Sequence, residues 1–322
     1  MPRFAKFQLS SNWGLSSDIE IASHALLSDA IARGASIIFT PTITLKDPLS
    51  SDPIYAYARF KLLSASPTGL VVLTRPLGSS FEEIENLLNR TKGDVVKVLS
   101  LAARSLSDAH EILNRFENLC DAIEVDVNLT CLLSTRGVSY SIELVRELVA
   151  TSGKPLVLKL NASSLNLLDL GKITADSGAN ALVVTPNIVY KIGKHFFRLH
   201  SSYISPAVLM GLTEKLAEVD VDVAIVVQSW KENLLEIIPL RVFDVSYLLS
   251  WMTFRGGSRV NETPLSWRPI NTRLKVYARK GAKYCPYGLI KEEGIIEGCN
   301  YCGVCLELND PGLVELATFV SL

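Results

Sequence analysis

The stretch KPLVLKLNASSLNLLDLGKITADSGANALVVT (residues 154–185) indicates how this chain folds. Two nearly continuous apolar runs stand at its ends, PLVLKL (155–160) and ALVVT (181–185). Strands buried on both faces have this composition, whereas strands with one face in water alternate between apolar and polar residues. Gly178 precedes the second run and is typical of the residue that ends a helix. The stretch therefore predicts a strand, a helix and a second buried strand.

Runs of this kind recur along the chain, with helical spacing between them. The predicted strands are residues 36–40, 70–74, 95–101, 122–130, 155–160, 181–185, 223–228 and 242–249, and the segments with helical spacing include 81–91, 107–119 and 141–151. Eight strand–helix units over roughly 250 residues predict an α/β protein with a TIM (β/α)8 barrel. An open doubly wound sheet is the alternative, but it usually carries a Gly-rich turn after its first strand. No such turn follows residues 36–40, so we favour the barrel.

The composition narrows the class of protein. Of the 322 residues, 48% are hydrophobic, so the chain can bury a large core. The 32 basic and 33 acidic residues give a formal net charge of −1, which does not indicate a nucleic-acid surface. The N-terminus lacks the apolar core of a signal peptide, and no stretch approaches about 18 apolar residues. We therefore expect a cytoplasmic protein, in which clustered cysteines bind metal more often than they form disulfides.

Four of the six cysteines lie close together near the C-terminus. They are Cys285, Cys299, Cys302 and Cys305, with 13, 2 and 2 residues between them, and Pro286 follows the first. Three thiolates on one tight loop can hold three corners of a cubane cluster, and a remote Cys next to a Pro closes the fourth corner in ferredoxin-like sites. We therefore expect these four cysteines to bind a [4Fe–4S] cluster. A zinc site is the main alternative, although zinc ribbons prefer two separated C-x2-C pairs.

The chain divides into two predicted parts. Residues 1–265 hold all the predicted barrel strands, and residues 266–322 form a small cysteine-rich iron–sulfur module. The polar stretch SRVNETPLSWRPINTR (258–273) is the expected linker between them.

Several strand ends resemble the dihydroorotate dehydrogenase family, whose members are FMN-dependent TIM barrels. ARGASIIFTPTIT (32–44) and VDVNLTC (125–131) are similar to two strand ends of that family, and the stretch at 154–184 is the most similar. The resemblance covers residues from about 30 to about 250 and implies a barrel of the same type.

The resemblance also implies roles for individual residues. It makes Thr40, Asn128 and Lys159 contacts of the flavin, with Lys159 neutralising charge at the flavin ring. It makes Cys131 the base that removes a proton from dihydroorotate, a role that a thiol with a pKa near neutrality can fill. The structural alternatives are that Cys131 is a small buried hydrophobe and that Lys159 pairs with a carboxylate such as Glu124 or Asp126.

The departures from the family pattern concern the flavin and the substrate. A flavin-contacting Lys of the family is Pro41 here, and Leu132 and Leu133 replace the Pro-Asn pair whose Asn holds the substrate. The glycine turns that bind the flavin phosphate are missing, and we expect Trp230 and Trp251 to fill that space. The chain thus resembles a divergent paralogue or accessory subunit more than a complete enzyme.

These observations predict an electron-transfer, electron-acceptor subunit of a heteromeric dihydroorotate dehydrogenase in pyrimidine biosynthesis. The expected partner is a flavin-bearing catalytic subunit, and we assign FMN to that partner in preference to this chain. One alternative is a self-sufficient FMN-dependent dehydrogenase that uses Cys131 and Lys159. Another is a zinc-stabilised scaffold without redox chemistry.

Overall fold

The structure is a computed structural model. It describes residues 2–18, 24–32, 34–45, 60–66, 69–74, 81–134, 136–162, 167–192, 195–201, 216, 219, 221–227, 240–243, 272–283, 289–295 and 313–320. The four tail cysteines and the two tryptophans expected at the phosphate end lie outside these residues: Cys285, Cys299, Cys302, Cys305, Trp230 and Trp251.

Strands and helices alternate through most of the described chain. The strands are β1 (Arg3–Phe4), β2 (Phe7–Gln8), β3 (Trp13–Leu15), β4 (Ile37–Phe39), β5 (Phe60–Ser66), β6 (Gly69–Thr74), β7 (Val96–Leu101), β8 (Ala122–Asp126), β9 (Leu156–Asn161), β10 (Ala181–Thr185), β11 (Ile188–Ile192), β12 (His195–Ser201), β13 (Asp222–Val227), β14 (Arg241–Phe243), β15 (Thr272–Ala278), β16 (Gly294–Ile295) and β17 (Val314–Val320). The α-helices are α1 (His24–Ala32), α2 (Phe81–Arg90), α3 (Leu106–Phe116), α4 (Val127–Ser134), α5 (Gly137–Thr151) and α6 (Leu167–Asp176). Among the described residues, no helix is both long and apolar enough to cross a bilayer.

Eight strands form a closed barrel, in the order β3-β4-β7-β8-β9-β10-β13-β14. Every neighbouring pair is parallel, and β14 pairs with β3 to close the ring. From β3 to β10, helices lie between successive barrel strands in the chain order, so the predicted TIM-type α/β barrel is confirmed.

One predicted barrel strand was wrong. Residues 70–74 belong to β6, which lies in a four-stranded antiparallel sheet with the order β11-β12-β6-β5. The missing barrel strand is β3, which the sequence does not signal because it has only three residues with Gly14 at its centre. A Cβ at Gly14 would meet the backbone carbonyl of Ile37, so the close approach of β4 requires glycine there. Thr40 and Thr42 therefore follow the second barrel strand and not the first.

The predicted strand 122–130 also ends early. It stops at Asp126, and the next residues form α4. The backbone N–H of Leu129 donates to Asp126 Oδ1 at 2.9 Å, a contact typical of a helix N-cap. Asn128 and Cys131 consequently lie on a helix and not at a strand end.

The predicted helix at 107–119 shows why such segments are helical. The Ser105 hydroxyl accepts the N–H of Asp108 and caps the first turn. The buried residues then recur at helical spacing: Ala109, Ile112, Leu113 and Phe116. The helix stop expected at Gly178 is confirmed, because α6 ends at Asp176 and Gly178 has a φ of 84°.

Among the described residues, most of the core lies in two apolar layers. The inner layer fills the barrel and includes Phe39, Val98 and Ala122, together with Phe4 from the N-terminal hairpin. Phe4 and Phe39 meet edge to face with 6.4 Å between ring centroids. The outer layer packs the other face of the barrel strands against the helices. Strands buried on both faces explain the continuous apolar runs in the sequence.

The C-terminal region contains a separate antiparallel sheet with the strand order β16-β15-β17. Ala278 of β15 lies opposite both Gly294 of β16 and Val314 of β17. The first strand of the sheet begins at Thr272, six residues after the predicted start of this module at residue 266. The division of the chain at that boundary stays a prediction.

Candidate functional site at the carboxyl end of the barrel

The inner face of the barrel changes from apolar to charged toward the carboxyl ends of its strands. On β8 the inward positions run Ala122, Glu124, Asp126, since alternate residues of a strand share a face. On β9 the corresponding positions include Lys159 and Asn161. Active sites of TIM barrels lie at this end of the strands. Charged residues buried there form the candidate site.

Lys159 lies at the centre of this charged group. Its side chain is 1% exposed, and its Nζ is 3.2 Å from Asp126 Oδ2. The ammonium also pairs with the carboxylate of Asp18 and donates to Ser17 Oγ at 3.1 Å. A buried ammonium needs such partners, because burial without them costs far more than one hydrogen bond. This pairing with Asp126 is the one expected if Lys159 pairs with a neighbouring carboxylate instead of contacting a flavin.

Asp18 connects the start of the barrel to its middle strands. One carboxylate oxygen pairs with Lys159, and the other accepts from Thr185 Oγ1 at 2.5 Å and from Asn187 Nδ2 at 2.9 Å. Sequence reasoning missed Asp18 because it missed β3, the strand that places it. The available signal was an acidic residue directly after the short run Trp13–Leu15 and two serines.

Glu124 is fully buried, and its two carboxyl oxygens differ in their hydrogen bonds. Its Oε1 accepts the hydroxyls of Ser17 and Ser100, the latter at 2.7 Å. Its Oε2 is buried and has no hydrogen-bond partner among the described residues. Desolvation by burial raises the pKa of Glu124 to about 7, against the opposing effects of Lys159 and the two hydroxyls. The carboxyl is therefore held partly or wholly neutral below that pH.

The threonines after β4 extend the network by hydroxyl contacts. Thr42 Oγ1 lies 2.9 Å from Ser100 Oγ, and Thr40 Oγ1 accepts the backbone N–H of Ser100 at 3.0 Å. Thr40 is 3% exposed, so its hydroxyl is engaged with β7 inside the protein. Its implied contact with a flavin stays a prediction.

Among the described residues, neither Asn128 nor Cys131 forms a hydrogen bond with Lys159 or its partners. Cys131 Sγ is 3.2 Å from Ser141 Oγ, which joins α4 to α5. Burial is the main cause that raises the pKa of the Cys131 thiol. This buried environment disfavours the thiolate that a catalytic base would need. Asn128 is half-buried on the first turn of α4.

Two leucines of α4 have an apolar role at the positions where the resemblance expects a Pro-Asn pair. Leu132 and Leu133 pack against a small cluster formed by Ala102 and Leu129, and Val189 of β11 joins them. The helix after β8 is thereby attached by apolar contacts to the antiparallel sheet. Hydrophobic packing thus occupies the position at which the resemblance expects a substrate-binding Asn.

The charge of the cluster does not favour a flavin. Lys159 contributes one positive charge, while Asp18 and Asp126 contribute two negative charges, and ionised Glu124 would add a third. Among the described residues, these charges sum to a negative value, which would not stabilise an anionic reduced flavin ring. The lysine that the resemblance assigns to the flavin is instead neutralised by the protein.

The described residues contain no group of three or more His, Cys, Asp or Glu side chains arranged to hold a metal ion. The four tail cysteines lie outside the described residues, so the iron–sulfur site stays a prediction.

Comparisons with known proteins give limited guidance. No family model and no curated protein matches the sequence. A mutant mandelate oxidase with a monooxide FMN adduct is 11% identical with a TM-score of 0.46, over 80% of this chain and 71% of that chain. A putative phosphonomutase from Burkholderia cenocepacia J2315 is 13% identical with a TM-score of 0.45, over 79% of this chain and 92% of that chain. At such low similarity, the fold assignment rests on the strand pairing of this chain itself.

Proposed function

We propose that this chain is the iron–sulfur electron-transfer subunit of a heteromeric dihydroorotate dehydrogenase of cytoplasmic pyrimidine biosynthesis. The spacing of Cys285, Cys299, Cys302 and Cys305 carries the proposal. Three cysteines at intervals of three residues and one remote Cys-Pro resemble the ligand pattern of a [4Fe–4S] cluster, with the Cys-Pro preceding the triplet instead of following it. The partner is a flavin-bearing catalytic subunit that oxidises dihydroorotate.

The barrel supports this division of labour. Lys159 is held between the carboxylates of Asp18 and Asp126, so its charge is not available to stabilise a reduced flavin. Among the described residues, the charged groups beside it are acidic and buried, with Glu124 at 0% and Asp126 at 1% exposure. We therefore assign the flavin, and with it the oxidation of dihydroorotate, to the partner.

The C-terminal sheet supports a shared cysteine site. The chain leaves β15 at Ala278, enters β16 at Gly294 and enters β17 at Val314, and these three residues are aligned across the sheet. The sequence between Ala278 and Gly294 contains Cys285, and the sequence before Val314 contains the other three cysteines. Both cysteine-bearing segments are thus attached at the same end of one sheet, as common ligation of a cluster requires.

The chemistry explains why such a subunit would be needed. Oxidation of dihydroorotate delivers two electrons to a flavin, whereas a [4Fe–4S] cluster accepts one electron at a time. A cluster at the surface of the complex can pass these electrons singly to an external acceptor. The barrel then serves as the part that docks the cluster module on the catalytic subunit.

Anaerobic purification with metal, sulfide and flavin analysis tests the proposal. We expect about four iron and four sulfide per chain, no flavin on the chain alone, and flavin in the complex with its co-purified subunit. The Cys302→Ser variant should lose the cluster, while Cys120→Ser should keep it, because Cys120 is a buried residue in the barrel core. Stoichiometric zinc in a colourless chain would support the scaffold alternative. Flavin on the isolated chain that dihydroorotate bleaches would support the self-sufficient enzyme.

A further inference from the structure

The Glu124 carboxyl has two oxygens in different situations. Oε1 accepts two hydroxyls, from Ser17 and Ser100, while Oε2 is buried with no hydrogen-bond partner among the described residues. An ionised carboxylate would leave a bare oxygen in the barrel interior, which is among the costliest arrangements in a protein. A protonated carboxyl removes that charge.

From this geometry we propose that Glu124 is a proton-binding site that controls a local opening of the Ser16–Asp18 segment at the carboxyl end of the barrel. The protonated carboxyl holds the Ser16–Asp18 segment closed over Lys159, and ionisation of the carboxyl opens it. This device is independent of the cysteine tail and of the proposed electron transfer.

The charged groups around Glu124 determine the direction of the effect. Lys159 faces it from β9 and Asp126 lies two residues further on β8, while Asp18 reaches the same ammonium from the segment after β3. With Glu124 neutral, these groups sum to one negative charge. Ionisation makes that sum two negative charges among side chains that are all buried, so the closed arrangement loses stability.

The segment that responds is Ser16–Asp18, because its side chains join the groups involved. Ser17 donates to Glu124 and accepts from Lys159. Asp18 pairs with Lys159 and accepts from Thr185 and Asn187. The adjoining strand β3 has only three residues, so side-chain bonds supply much of what holds the segment in place. Outward movement of the segment would admit water to Glu124 and expose Lys159.

The raised pKa of Glu124 supports the direction and sets the pH window. In the closed state the pKa is about 7, and in an opened, hydrated state it would return toward the ordinary value of 4.5. The closed state therefore binds the proton more tightly. The equilibrium constant for opening should rise about tenfold per pH unit between these two values and level off above the upper one.

Hydrogen exchange of the full-length protein tests the proposal. After correction for intrinsic exchange rates, amides of residues 14–18 should exchange about tenfold faster for each pH unit between about pH 5 and pH 7. Peptides covering β8 and β9 should stay more strongly protected than residues 14–18 at every pH, which separates local opening from global unfolding. In Glu124→Gln the exchange of residues 14–18 should not depend on pH in this range. Glu143→Gln, an exposed position on α5, is the matched control and should behave as the wild type.

An infrared titration of the wild-type protein gives a second measurement that does not depend on the folding of a variant. The carbonyl band of one protonated carboxylic acid should persist to near pH 7 and be missing from Glu124→Gln. Either of two results would overturn the proposal. One is complete ionisation of all carboxyls well below neutrality, and the other is the same pH-dependent exchange of residues 14–18 in Glu124→Gln.

Discussion

The ammonium of Lys159 and the carboxylate of Asp126 face each other across neighbouring barrel strands, with 3.2 Å between Nζ and Oδ2. The parallel register of β8 and β9 places the two residues directly opposite, so the ion pair follows from strand pairing itself. Together with Asp18, it fills the position at which the family resemblance expects a flavin contact. The predictions below concern this buried pair, the elements that hold it and the cysteine tail.

Removing the Lys159 ammonium should strongly destabilise the protein. Lys159→Met leaves Asp18 and Asp126 buried without their cation, and breaking such a pair costs about 3–5 kcal/mol. The free energy of unfolding from chemical denaturation measures this loss. Lys172→Met, at an exposed position on α6, is the control and should have little effect. Unchanged stability in Lys159→Met would show that the lysine is not a structural ion-pair partner.

Neutralising Glu124 should change how stability depends on pH. The native pKa of about 7 lies above the ordinary 4.5, so the folded protein binds this proton more tightly than the unfolded chain. The contribution of Glu124 to the free energy of unfolding is therefore largest below about pH 4.5. It decreases as the pH rises toward 7 and is lost above that pH, which amounts to about 3 kcal/mol in total. Glu124→Gln should remove this slope and be more stable than the wild type at pH 8. Unfolding curves across this range that coincide for both proteins would contradict the assignment.

Adding one methyl group to the first barrel strand should be costly. In Gly14→Ala the new Cβ would meet the backbone and side chain of Ile37, and such overpacking costs about 1–3 kcal/mol. Gly153→Ala is a suitable control, because a Cβ there has open space and the position lacks a positive φ. Thermal unfolding of both variants distinguishes the two sites. Equal stability of the two variants would mean that β3 does not pack against β4 as described.

Substituting Cys131 should leave dihydroorotate oxidation by the complex unchanged. The Cys131 thiol is hydrogen-bonded with the Ser141 hydroxyl, and burial raises the pKa of the thiol, so it is poorly suited to act as a base. Steady-state rates of the complex carrying Cys131→Ala test this expectation, with circular dichroism to confirm folding. Loss of oxidation in a folded variant would restore the catalytic role that the resemblance implies.

The sequence allowed the barrel to be predicted because most of its strands are buried on both faces and appear as apolar runs. It failed at β3, where three residues with a central Gly14 leave too little apolar sequence to recognise. It also took residues 70–74 for a barrel strand, because an apolar run does not reveal which sheet it joins. Lys159 and its pairing with Asp126 could be anticipated from neighbouring strands. Asp18 could not, since its place in the site depends on a strand more than 100 residues away in sequence.

The most direct measurement is anaerobic reduction of the cluster by dihydroorotate, followed by electron paramagnetic resonance. We predict a reduced iron–sulfur signal only when this chain, its flavin-bearing subunit and dihydroorotate are all present. The Cys302→Ser variant should give no such signal, while Cys120→Ser should match the wild type. A chain that lacks iron, or one whose cluster stays oxidised while the flavin of the partner is reduced, would contradict the proposed electron transfer.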